Sequence, residues 1–131
     1  MAVFTATHGA KAGPSQLNTV AGVDMSTGSL GQGISAQVID MATIKPLDEE
    51  MVLKAAKECG RIVTCEEHSI IGGLGEAVCA VVAKHGLPCP VERIGANDEF
   101  GHSGPAGALL EQFGLCGECI EKAAKNLSVS Q

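Results

Sequence analysis

From Gln37 onward the apolar positions switch repeatedly between strand-like runs and helix-like spacing. Gln37-Val-Ile-Asp-Met41 is a short β-branched run and reads as a buried strand. Pro46-Leu-Asp-Glu-Glu50 then opens a helix, with Asp48 as N-cap and two glutamates in the first turn, where the helix dipole favours negative charge. Val52, Ala56 and Cys59 recur at i, i+4, i+7 as the expected buried stripe, and Gly60 stops the helix. Arg61-Ile-Val-Thr-Cys-Glu66 reads as a second strand. The glycine-rich turn Ile71-Gly-Gly-Leu-Gly75 leads into a helix through Glu76–Ala83, ended by Gly86 and Pro88. Val91-Glu-Arg-Ile94 is a third strand. A second glycine-rich loop, Gly95 to Gly104, precedes two short helices near Ala106–Phe113 and Gly117–Leu127. Strands that alternate with helices predict an α/β fold: a small three-layer, doubly wound unit with a mostly parallel sheet. The strands at 37–41, 61–66 and 91–94 are expected to run in one direction, because each connection is long enough to cross over through a helix.

The N-terminal 35 residues have a different character. Ala2-Val-Phe-Thr-Ala6 can supply one more strand, but from Gly9 to Gly33 the chain is rich in Gly, Ser and Thr with neither period. A loop of that length inside a compact domain is uncommon. The expected organisation is one domain over 1–131: an atypical segment 1–35, an α/β unit 36–127, and a frayed tail 128–131.

Composition narrows the function classes. The chain has three Phe and neither Trp nor Tyr, so the core must be built from aliphatic side chains, and the usual stacking platforms for single-stranded nucleic acid are missing. A net charge of −6 disfavours binding to a phosphate backbone. Nucleic acid is therefore not an expected partner. No apolar run approaches the about eighteen residues of a membrane span, and nothing at the N-terminus reads as a signal peptide, so no membrane role is expected. Cys65 and Cys79 lie in apolar runs and Cys59 ends a helical pattern; such thiols behave as small hydrophobes, which points to free cysteines in a reducing cytoplasm.

Four features could carry chemistry. Gly72-Gly-Leu-Gly75 follows a strand and opens a helix, where unpaired N–H groups can hold an anion. However, Val78 stands where the dinucleotide fingerprint wants its third glycine, and tight helix–sheet packing is the preferred reading of these small residues. Cys116-Gly-Glu-Cys119 has the CxxC spacing near a helix start, open to a redox or metal role, but it has neither the position of a thioredoxin-type site nor a second ligand pair for zinc. His68, in Glu66-Glu-His-Ser69, sits just past a strand end, where open α/β sheets place functional groups; it is the weak catalytic candidate, and equally a polar residue at a loop or subunit boundary. His102 lies in a loop with still less to mark it.

Val38-Ile-Asp-Met-Ala-Thr-Ile-Lys-Pro-Leu-Asp48, Ile62-Val-Thr-Cys-Glu-Glu-His-Ser-Ile-Ile-Gly-Gly-Leu-Gly75 and Phe100-Gly-His-Ser-Gly104 together resemble the C-terminal domain of transketolases over 36–127. The likeness is greatest to separately encoded C-terminal subunits and to deoxyxylulose-phosphate synthases. It implies a domain that packs beside the thiamine diphosphate domains and helps the dimer without supplying most cofactor ligands. His102 stands where relatives often carry an acidic residue.

Gly22-Val-Asp-Met-Ser-Thr-Gly-Ser-Leu-Gly-Gln-Gly-Ile34 resembles a phrase of the same family's N-terminal, diphosphate-binding domain. By that resemblance Gly28, Ser29 and Leu30 are cofactor-contacting positions, expected to be non-functional in this chain. The family's Gly-Asp-Gly…Asn metal motif and the domain with the cofactor-activating Glu are not present, so the join reads as a deletion, a recombined gene or a chimera. Thiamine diphosphate and Mg²⁺ are the cofactors of the complete family enzyme, with sugar phosphates as its substrates. The isolated chain is expected to bind neither cofactor and to be inactive in ketol transfer. Its expected partners are itself or other transketolase domains. The alternative is a fragment or subunit that contributes to two-carbon ketol transfer once partner chains complete it.

Overall fold

A computed structural model of the chain describes residues 2–8, 34–99, 101 and 103–129. The expectations for 22–33, including Gly28, Ser29 and Leu30, and for Phe100 and His102 fall outside these residues.

Four strands form one sheet: β1 (Ala2–His8), β2 (Ile34–Asp40), β3 (Ile62–Ser69) and β4 (Val91–Ala96). The spatial order is β2-β1-β3-β4. β3 and β4 pair in parallel, Ile62 opposite Val91 and Cys65 opposite Ile94. β1 is antiparallel to both of its neighbours, with Val3 opposite Ile39 on one side and Thr64 on the other. β2, β3 and β4 therefore run in the same direction, as the crossover argument expects. What the pattern did not reveal is that β1 lies between β2 and β3.

The α/β reading holds, with helices on both faces of the sheet. Successive residues of a strand face opposite sides, and Ile62 and Val63 divide the core in this way. Ile62 packs with Ile39, Met41 and the buried faces of α1 (Glu49–Cys59) and α2 (Leu74–Lys84); Val63 packs with Ile120 and Ala124 of α4 (Gly117–Val129). Ile62, Leu74, Val52 and Val78 are fully enclosed, and burying each such side chain stabilises by about 1.5–3 kcal/mol.

The ends of α1 follow the local code. Asp48 accepts a hydrogen bond from the Met51 amide at 3.0 Å, and Gly60 closes the helix at φ 71° with its N–H donated to the Ala56 carbonyl. Val52 and Ala56 are buried as expected, but Ala55 completes the stripe, and Cys59, at the helix edge, is only half-buried. Lys84 of α2 reaches Glu49 of α1 at 3.0 Å across the surface. α4 continues through Val129, two residues into the segment expected to fray. A short helix α3 (Ala106–Gln112) buries none of its residues.

Candidate functional site at the end of β3

The C-terminal end of β3 meets the N-terminus of α2, and one buried charge organises the junction. Glu66 is 2% exposed. Its Oε2 accepts from the Leu74 amide at 2.7 Å and its Oε1 from the Gly75 amide at 2.9 Å. Removing a carboxylate from water costs several kcal/mol; two charge-assisted N–H bonds and the positive end of the α2 dipole offset that cost. The glycine-rich turn is thus an anion-binding helix terminus whose anion belongs to the chain itself. A third amide, that of Gly72 just before the helix, donates to Glu76 Oε2 at 2.9 Å, so three amides of the turn and first helical residues have carboxylate acceptors from the chain itself.

The glycines of this turn serve different purposes. Gly72 adopts φ 75°, which costs a residue with a Cβ about 1–2 kcal/mol. Gly73 has ordinary extended geometry, φ −101° and ψ −160°, yet a Cβ there would lie 2.1 Å from Glu66 Oε2. The missing side chain makes room for the carboxylate. Arg93 of β4 spans the turn, with Nη1 donating to the Ile70 carbonyl at 3.2 Å and lying 3.8 Å from Glu76 Oε1.

Around this buried centre the surface is only lightly featured. The β3–β4 register shifts between Cys65 and Ser69, and a Cβ on Gly95 would lie 2.7 Å from the His68 carbonyl oxygen. Within the shift, Glu67 and His68 are exposed. The His68 Nδ1 lies 2.9 Å from the Ser69 carbonyl oxygen, to which it donates when it carries the proton. His68 lies within β3 rather than past its end, and the neighbouring Glu66 carboxylate accepts from the Leu74 and Gly75 amides. Ile71 is 54% exposed, the one large apolar side chain so exposed among the described residues.

Elsewhere, Cys116 immediately precedes α4, and its carbonyl accepts from the Cys119 and Ile120 amides. The Cys116 and Cys119 thiols are hydrogen-bonded at 2.8 Å, a bond that raises the Cys119 thiol above its ordinary pKa. Among the described residues no group of three or more His, Cys, Asp or Glu side chains is gathered in a way that could hold a metal. Nor is any described helix long and apolar enough to cross a membrane.

Comparison with known proteins agrees with this architecture. Residues 28–120 match the family described as the transketolase C-terminal domain, and the chain belongs to that family. A Methanocaldococcus jannaschii protein named as a transketolase C-terminal section is 56% identical over 90 residues, which is 69% of this chain and 28% of that protein. The 1-deoxy-D-xylulose-5-phosphate synthase of Heliobacterium modesticaldum is 40% identical over 97 residues, 74% of this chain and 15% of the synthase. A solved split-gene transketolase, described as an inactive beta4 tetramer, superposes with TM-score 0.64 at 44% identity, covering 70% of this chain and 30% of that one. The chain thus spans less than a third of the length of each of these relatives.

The inward placement of Glu66 escaped the sequence reading, which took it as the end of a strand. One signal was available: an acidic residue closing an apolar strand, followed by a double glycine at a helix start. That combination suits an internal carboxylate as well as an external anion.

Proposed function

We propose that residues 36–127 act as the structural C-terminal unit of a transketolase-type assembly, docking beside chains that hold thiamine diphosphate rather than performing ketol transfer. The observation that carries this reading is the Glu66 carboxylate on the α2 amides. The helix terminus best suited to a phosphate at the C-terminal edge of the sheet already has its anion. His68 and Ile71, exposed beside it, serve as contact groups for a neighbouring domain. The likeness to a protein named as a separate C-terminal section, and to a split-gene transketolase, supports a role as one component among several. A cytoplasmic setting and sugar-phosphate substrates for the completed assembly belong to the same proposal, as does the origin of 22–34 in a diphosphate-binding domain.

The test is calorimetric titration of thiamine diphosphate with Mg²⁺ into the purified chain. The expected outcome is no binding tighter than about millimolar, or about −4 kcal/mol. Micromolar affinity, or turnover of a ketose phosphate by the chain alone, would overturn the proposal. Activity that appears only after a complementary transketolase fragment is added favours the second reading, that the chain contributes to catalysis as a subunit.

Self-association is a separate expectation. A domain whose contact surface is not covered by neighbouring domains in the sample tends to cover it with a second copy. Light scattering at high micromolar concentration is expected to give at least a dimer; a strict monomer would argue against it.

A further inference from the structure

The geometry points to Cys116 and Cys119 as a reversible dithiol–disulfide pair, placed at the start of α4 and oxidised by a low-molecular-weight disulfide. Their sulfurs are 2.8 Å apart, less than ~1 Å of movement from the about 2.05 Å of a disulfide. Both residues are half-buried rather than enclosed. Cys116 precedes the first turn of the 13-residue helix and Cys119 lies within it, so the bond closes one turn without moving the packed part of α4. A cleft of about 310 Å³, lined by Glu92, Cys119, Lys122 and Leu127 among others, opens beside Cys119 and gives a small disulfide access.

In the reaction, one sulfur loses its proton and attacks the small disulfide, forming a mixed disulfide and releasing one thiolate. The other sulfur, already in contact, loses its proton and displaces the second thiolate. Two electrons and two protons leave the pair, and the small disulfide becomes two thiols. The intrachain bond braces the first turn of α4, the helix that carries Ile120 and Ala124 onto the sheet. The Cys119 thiol is itself raised by its bond to Cys116, as burial raises Cys65 and pushes Cys89 up to about 11, so it is the sulfur–sulfur contact and not thiol acidity that sets this pair apart. With no third or fourth ligand gathered among the described residues, the pair is set up for redox exchange rather than zinc.

The test equilibrates the full chain with mixtures of reduced and oxidised glutathione, quenches with acid, alkylates, and weighs the tryptic peptide 94–122, which holds both cysteines. Oxidising mixtures should abolish both alkyl adducts on this peptide with the loss of two hydrogens, and dithiothreitol should restore both. The folded chain should need about tenfold less oxidised glutathione than the same chain in urea, because the fold holds the sulfurs together. Cys116→Ser should leave Cys119 carrying glutathione with no internal bond. The inference is overturned if the folded chain oxidises no more readily than the urea-unfolded chain, if the peptide gains two glutathiones without an internal link, or if the purified protein retains stoichiometric zinc that protects both thiols.

Discussion

Replacing Glu66 with alanine is expected to lower the unfolding free energy by about 3–5 kcal/mol, a large share of the stability of a small domain. The substitution leaves the Leu74 and Gly75 amides buried without their acceptor, removes the negative charge from the α2 terminus, and opens a void where the side chain lay. Glu66→Gln keeps the shape but has one acceptor oxygen in place of two, and its amide group meets an N–H instead of accepting from it. Its expected cost is about 2 kcal/mol, which keeps the variant measurable if the alanine form does not fold. Urea unfolding followed by circular dichroism, compared at constant m, reads both values. A change below about 1 kcal/mol for Glu66→Ala would mean that water replaces the carboxylate without penalty, and the account of this junction would be wrong.

Gly73→Ala is expected to cost about 3 kcal/mol for a steric rather than a conformational reason. Its φ of −101° is open to any residue, but the new Cβ would lie 2.1 Å from Glu66 Oε2, so the carboxylate must leave its amides. Gly72→Ala provides the control. It has nothing within 4 Å of its Cβ position and a φ of 75°, so only the backbone penalty of about 1–2 kcal/mol applies. The decisive measurement is the double-mutant cycle of Glu66→Ala with Gly73→Ala. Once the carboxylate is gone the methyl group has space, so the two costs should fall short of additivity by most of the Gly73→Ala cost, about 2–3 kcal/mol. Strict additivity would show that Gly73 is required for some other reason.

The two variants separate what can be read locally from what cannot. Asp48 and Gly60 mark the ends of α1 in the sequence because caps act within one turn of their own residues. The direction of β2, β3 and β4 was legible for a similar reason: connections that contain helices cross over and return in parallel. The glycine-rich turn was legible as a helix-opening turn with spare amides, but its occupant was not. Glu66 lies eight residues before Leu74, and whether its side chain points to solvent or to the helix depends on how α2 packs on β3. His68 stood out for its place just past a strand end, and the structure extends β3 through Ser69, so that His68 lies within the strand.

What this sequence determined by itself is therefore the set of elements, their α/β alternation, the caps of α1 and the kinship of 36–127 with transketolase C-terminal domains. All of these rest on period, propensity and motif within short spans of chain. Tertiary structure alone decided that β1 enters between β2 and β3, that Glu66 turns inward to accept from the first two amides of α2, and that Cys116 and Cys119 touch. Each of these depends on contacts whose geometry is set only when elements pack. Strand order depends on which edges find partners, and the inward carboxylate depends on a helix terminus arriving over the strand end. The thiol contact depends on the side-chain rotamers adopted at the first turn of α4, which the CxxC spacing allows but does not impose.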